Sequence, residues 1–236
     1  MEVASFRREG EWIDAAVGEL RAARDEARSG GRASLALCLA GGLTPEPLYR
    51  GMSGLPLGGS PIELWLGDER VVPAGDPARN GSMVARSFAG CAWDPSPRLR
   101  LWPEAETEEE AVSASARYEA ELRASLGVRP SFDLVFLGLG ADGHTASIFP
   151  GSPLMEASSD GPGLPRLAAV ARAPVAPFGR MTLTPAALRS ARRRIFLVRG
   201  ADKLPALRRL EAEDPSIPAT LLAGAGALVL YLGSLS

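Results

Sequence analysis

The sequence predicts an α/β protein, a three-layer, mostly parallel Rossmann-like sheet with helices on both faces. Three observations predict it. Short apolar runs, among them Ser34 to Ala40, Leu134 to Leu137 and Ile195 to Val198, alternate with longer stretches of helical period. Those runs are apolar along their length rather than every second residue, as in parallel strands buried on both faces. Several of them end in glycine or charge just before a new helix begins, the mark of a βα unit.

Each element follows from its own signals. Glu11 to Arg28 carries Trp12, Ala15, Ala16, Leu20, Ala23 and Ala27 at amphipathic spacing, and Gly30-Gly31 stops that helix. The strand Ser34 to Ala40 runs into Gly41-Gly42-Leu43-Thr44-Pro45, where Thr44 suits an N-cap and Pro45 a first helical residue. Ile62 to Leu66 is the next strand, ending in Gly67-Asp68-Glu69-Arg70, and Asn80 can cap a short helix through Phe88. Pro95 and Pro97 mark a loop before Leu99 to Trp102. Thr107-Glu108-Glu109-Glu110 is a capping box that opens a helix to about Leu126. After the strand Leu134 to Leu137, Thr145-Ala146 can start a short helix. Ser152 to Pro165 is loop, Leu167 to Ala171 a strand and Pro174 to Pro177 a turn. A short strand then feeds a second Thr-Pro helix start at Thr184-Pro185. Ile195 to Val198 precedes a helix from Gly200 to about Glu213, and Ala227 to Leu232 closes the sheet.

Composition bounds the function. With 236 residues, 46% hydrophobic and 23% charged, the chain has the makeup of one soluble domain spanning 1–236, with no internal repeat. A net charge of −2 lacks the basic surplus of a nucleic-acid footprint. Cys38 and Cys91 cannot build a disulfide framework, which suits a reducing cytoplasm. The polar N-terminus is not a signal peptide, and Leu221 to Gly233 is too short and glycine-rich to span a bilayer. No Cys or His cluster suggests zinc, and no Gly-x-Ser-x-Gly nucleophile is present.

Four strand ends carry the chemistry: 41–44, 67–70, 138–144 and 200–203. In a parallel sheet they lie on one edge, where open α/β sheets bind ligands. Glycine backbone and a helix N-terminus at 41–44 suit a phosphate, as do Arg70, Arg180 and Lys203, the only lysine. His144 is the only histidine, and its place at a glycine-rich strand end suits proton transfer near neutral pH. The same glycines, Gly138-x-Gly140-x-x-Gly143, outline a dinucleotide fingerprint. Asp142 and His144 crowd that turn, and the acidic residue due about twenty positions on falls in loop around Glu156 to Asp160, which argues against nicotinamide binding.

Taken together, Gly41 to Pro45, Gly67 to Pro73, Asn80, Phe132 to Gly151, Arg180 to Thr184 and Gly200 to Lys203 resemble, in order, the 6-phosphogluconolactonases of the glucosamine-6-phosphate isomerase/6-phosphogluconolactonase family. The resemblance covers about residues 35–225 and is most specific around His144. It implies the isomerase/lactonase-type fold, hydrolysis of 6-phospho-D-glucono-1,5-lactone to 6-phosphogluconate in the oxidative pentose phosphate pathway, and no obligatory cofactor. The chain departs from the family at Leu43 and Arg79, where Ser is usual, at Asp202, where Glu is usual, and after Tyr231. On the combined reading, catalysis falls to His144, Asp142, Arg70 and Asp68, with no metal. Substrate or phosphate binding falls to Gly41, Gly42, Thr44, Gly140, Gly143, Arg180 and Lys203. The expected partner is a small sugar-phosphate lactone, with neither nucleic acid nor membrane. Isomerases or deaminases of this fold are one alternative, but they carry a glutamate shortly after the histidine, where this chain has Ser147-Ile148-Phe149-Pro150-Gly151. A non-catalytic sugar-phosphate sensor is another, and it would have no need of His144.

Overall fold

The computed structural model describes residues 1–57, 59–156, 163–224 and 226–234. Seven strands form the main sheet: β1 (Glu2–Phe6), β2 (Leu35–Leu39), β3 (Ile62–Leu66), β5 (Arg98–Arg100), β6 (Leu134–Gly138), β9 (Arg193–Arg199) and β10 (Leu228–Leu232). Their order is β1-β10-β9-β6-β2-β3-β5, and every neighbouring pair is parallel. Strands β2 and β3 are buried at every residue. Side chains along a strand point alternately to its two faces, so both faces are covered, as the continuous apolar runs require.

Helices α1 (Glu9–Ser29), α2 (Glu46–Ser53), α3 (Asn80–Ser87), α4 (Glu108–Leu126), α5 (Pro185–Arg189), α6 (Leu204–Glu211) and α7 (Pro218–Ala223) provide the cover. Trp12 of α1 is fully buried and donates its indole N–H to the Leu230 carbonyl at 2.9 Å. Tyr118 of α4 meets Trp65 of β3 edge-on, centroids 5.6 Å apart. The Thr107 capping box is formed at the start of α4, and Thr184 caps α5 by accepting from the Ala187 N–H. Among the described residues no helix is long and apolar enough to cross a membrane. The former expectation about Glu156 to Asp160 falls mostly on 157–160, outside the described residues.

The topology opens the site. From β2 the chain builds outward through β3 and β5. From β6 it builds the other way, through β9 and β10. The reversal lies between β2 and β6, the switch point at which doubly wound sheets bind ligands. These two strands pair only at Leu37↔Leu134 and Cys38↔Val135. Beyond that they continue to Leu39 and Gly138 without pairing, so a crevice opens at their C-terminal ends.

A second sheet is antiparallel, in the order β4-β8-β7, from β4 (Asp68–Arg70), β8 (Gly179–Leu183) and β7 (Ala168–Arg172). The sequence presented residues 67–70 as a charged strand end. Residues 68–70 form a strand of their own, because Gly67 turns the chain away from β3 and its carbonyl accepts from the Leu183 N–H at 2.8 Å. Strand β1 and helix α7 are also additions to the sequence reading. Each has only five or six residues, too few to establish a period.

Candidate active site

Residues from all four predicted strand ends meet in one pocket of about 220 Å³, lined by Gly41 to Thr44, Asp68, Arg70, Gly140, His144 and Lys203. A second hollow of about 420 Å³ adjoins it and shares Asp68, Arg70 and His144, adding Asp142 and Arg180. A larger hollow of about 540 Å³ at the β1 edge offers Glu211 and Glu213 but no cation, so size alone does not identify the site.

The loop after β2 forms the wall on one side. None of the N–H groups of residues 41–44 has an acceptor among the described residues. Four free donors at the entrance to a helix make an anion cradle. Gly41 has to be glycine, since a Cβ there would fall on the Asn80 side chain, and Gly42 takes a φ of +90°. Thr44 is not the N-cap. Helix α2 begins after Pro45, with no side-chain cap, and the Thr44 hydroxyl, beside the pocket, has no hydrogen-bond partner among the described residues. Lys203 joins this wall, its ammonium 3.1 Å from the mostly exposed Asp202 carboxylate. Leu43 is 85% exposed, so its side chain projects to solvent.

The turn after β6 forms the opposite wall. Nδ1 of His144 lies 2.6 Å from Asp142 Oδ1, and the His144 N–H donates to the same oxygen at 3.1 Å. Burial raises the Asp142 carboxyl, but the His144 backbone bond, charge and ring bond outweigh it and hold the group below the ordinary carboxylate range. An ionised Asp142 fixes the proton of neutral His144 on Nδ1 and leaves Nε2 as an acceptor. The His144 ring also rests on Phe149, centroids 4.8 Å apart.

Two expectations for this turn are corrected. Thr145-Ala146 does not start a helix: the chain folds back through a Thr145–Ile148 bridge, with Ala146 at φ +48°. Gly140 and Gly143 are not free phosphate donors, since Gly140 N–H bonds the His144 carbonyl and Gly143 N–H the Gly140 carbonyl. Their role is close packing. A Cβ at Gly143 would strike Ile217, and one at Gly140 would overlap the His144 ring and come 2.6 Å from Asp142 Oδ1. Gly140→Ala is therefore expected to lower turnover at least about tenfold by displacing the pair, with the circular dichroism spectrum unchanged. Unaltered turnover would show that the pair tolerates the methyl group.

The antiparallel sheet forms the floor, and alternation along β4 sorts its three charges. Asp68 and Arg70 line the pocket, whereas Glu69 is fully buried on the other side. Glu69 accepts from the N–H groups of Arg70, Asn80 and Gly81 at 2.7–2.8 Å and so caps α3, with Arg79 3.8 Å away. Burial pushes the Glu69 carboxyl up, and those donors and Arg79 oppose it. Asn80 is thus released from capping, and its side chain donates to the Asp68 carbonyl at 2.9 Å.

Arg70 and Arg180 are register partners across β4 and β8. Among the described residues neither has a carboxylate within 4.0 Å. Arg70 donates to the Ala78 carbonyl, and Arg180 to those of Pro177 and Gly179. Burial, with the neighbouring Arg70 charge, draws Arg180 below the usual guanidinium range, and Asp68 and Glu69 oppose this. A guanidinium stays charged regardless, so the two form an electropositive corner suited to an anion. Arg180 lines the hollow beside His144 and Asp142, whereas Lys203 lines the cradle. The predicted joint clamp of Arg180 and Lys203 is therefore divided between two walls.

A doubly wound α/β enzyme with an anion cradle facing an Asp–His pair across its switch point is the class defined by this geometry. The chain belongs to the family described as glucosamine-6-phosphate isomerases/6-phosphogluconolactonase, which it matches over residues 8–230. It is 34% identical over 203 residues to a 6-phosphogluconolactonase of Synechocystis sp., covering 83% of this chain and 80% of that one. The human 6-phosphogluconolactonase is 33% identical over 205 residues, 82% of this chain and 76% of its own. Among solved structures, the 6-phosphogluconolactonase of Thermotoga maritima superposes with a TM-score of 0.78 at 27% identity, covering 99% of both chains. That of Trypanosoma brucei gives 0.78 at 26%, over 98% of this chain and 95% of the other.

Proposed function

We propose that this chain hydrolyses 6-phospho-D-glucono-1,5-lactone to 6-phospho-D-gluconate, in the cytoplasmic oxidative pentose phosphate pathway. The observation that carries the reading is the 2.6 Å Asp142–His144 contact opposite a cradle with four free N–H groups. The cradle and Lys203 take the phosphate, helped by the positive end of α2. The lactone carbonyl then lies toward His144. Nε2 accepts a proton from water as the water oxygen bonds to the carbonyl carbon, with Asp142 holding the imidazolium that forms. Asp68 accepts a hydrogen bond from the same water and orients it.

The carbonyl oxygen becomes an oxyanion that Arg70 and Arg180 stabilise. When the intermediate collapses, the bond between the carbonyl carbon and the ring oxygen breaks. The imidazolium returns its proton to the departing ring oxygen, giving a free hydroxyl and a carboxylic acid, and the acid loses its remaining proton to solvent to become the carboxylate. Residues 147–151 offer no carboxylate for the ring-opening step of an isomerase, which also supports the lactonase reading.

The test is turnover of freshly generated 6-phosphogluconolactone, corrected for spontaneous hydrolysis, beside glucosamine 6-phosphate. Saturable lactone hydrolysis alone is expected. Isomerisation of the amino sugar phosphate without lactonase activity would overturn the proposal. In the same assay Leu43→Ser should change KM by less than about threefold, because phosphate is held there by backbone rather than by side chain 43.

A further inference from the structure

Asp68 is held by more than its own strand. It is only 8% exposed, and it lines both hollows of the site. The Ser147 hydroxyl lies 2.6 Å from Asp68 Oδ2. An ionised carboxylate only accepts, so Ser147 donates, and the distance is that of a charge-assisted bond. On the other oxygen, Asn80 Nδ2 approaches Oδ1 at 3.4 Å.

Ser147 is itself pinned. Its backbone N–H donates to Thr182 Oγ1 at 3.2 Å, and the Thr182 hydroxyl donates to the Leu183 carbonyl at 3.0 Å. Since the Thr182 proton is committed elsewhere, its oxygen is left to accept. Ser147 and Thr182 are 1% and 0% exposed, so water does not compete for these bonds. Thr182 is the register partner of Asp68 across β4 and β8, so the chain of bonds closes on the strand where it begins.

Ser147 also lies on the turn that carries His144. Between them Ala146 holds a left-handed φ of +48°, a conformation a non-glycine residue keeps only when its surroundings over-determine it. The Thr145–Ile148 bridge closes the backbone there, and the two Ser147 bonds fix the exit. The turn thereby ties the imidazole wall to the carboxylate floor.

We infer that Ser147 is a positioning residue for the reaction, holding the Asp68 carboxylate at a fixed place relative to His144 so that both face one water molecule. The inference rests on the lactonase reading above. Without the hydroxyl, Asp68 keeps its charge and burial but loses its orienting bond on Oδ2. Substrate affinity is set mainly at the cradle, so the loss falls on turnover.

The experiment compares Ser147→Ala and Ser147→Cys with the wild type. Cys keeps the space filled but is a weak donor. Both variants are expected to lower kcat about 10- to 100-fold, with KM and the calorimetric Kd for 6-phosphogluconate within about threefold. Ser147→Cys should melt close to the wild type. Turnover within about threefold of wild type in either variant would overturn the inference. So would a Kd increase that matches the loss of kcat/KM, or failure of both variants to fold, which would make Ser147 a residue of the fold alone. Wild-type protein in the same assay separates the two readings: an inactive wild type removes the lactonase proposal, whereas an active wild type with active variants removes only the role of Ser147.

Discussion

Replacing His144 with Ala is expected to lower kcat by about 10²–10⁴-fold, the range in which a positioned general base contributes. The expectation rests on arithmetic as much as geometry. The chain has one histidine, so no second imidazole can take over its role. The Asp142 carboxylate occupies Nδ1 at 2.6 Å, which leaves Nε2 as the nitrogen of the ring that can accept a proton. The ring is about one-third exposed, and its ring contact is with Phe149, so its removal is not expected to unfold the chain. Binding of 6-phosphogluconate, measured by calorimetry, should then change little, because the cradle and Lys203 lie on the facing wall. A folded His144→Ala protein that turns over within threefold of wild type would exclude His144 as the base.

Much of this site was legible in the chain, and the reason is physical. Parallel sheets collect their strand ends on one edge, so glycine or charge after four apolar runs is enough to bring residues 41–44, Asp68, Arg70, Gly140, His144 and Lys203 together. Thr107 and Thr184 cap as read, because a capping residue acts within three positions of itself. Thr44 and Asn80 carry similar local signals but do not cap, Asn80 because distant groups claim it. The Glu69 carboxylate takes over the capping of α3 and turns Asn80 toward Asp68. The antiparallel sheet was not legible, since three residues at 68–70 have no period and their partner lies more than a hundred residues on. The division between Arg180 and Lys203 follows from that sheet: β8 carries Arg180 to the floor beside Arg70, not to the cradle.

The second large effect concerns the phosphate. Glucono-1,5-lactone without the phosphate is expected to react with a kcat/KM about 10³-fold lower, because bonds to a charged group contribute about 1.5–3 kcal/mol each and several are lost together. The same division of the site predicts how the cations separate. Lys203→Ala should raise KM for the phosphorylated lactone at least about tenfold and leave the neutral lactone within about twofold, since in the proposed pose its ammonium serves the phosphate and not the lactone ring. Arg180→Ala should instead lower kcat on both lactones by at least about tenfold, since in the proposed pose its corner meets the carbonyl end shared by the two substrates. Steady-state kinetics of the two variants on the two lactones give four ratios. If Arg180→Ala raised KM for the phosphorylated substrate alone, with neutral-lactone kinetics unchanged, Arg180 would belong to the phosphate clamp. The oxyanion would then fall to Arg70, which lines both hollows and whose buried Nε has no hydrogen-bond partner among the described residues.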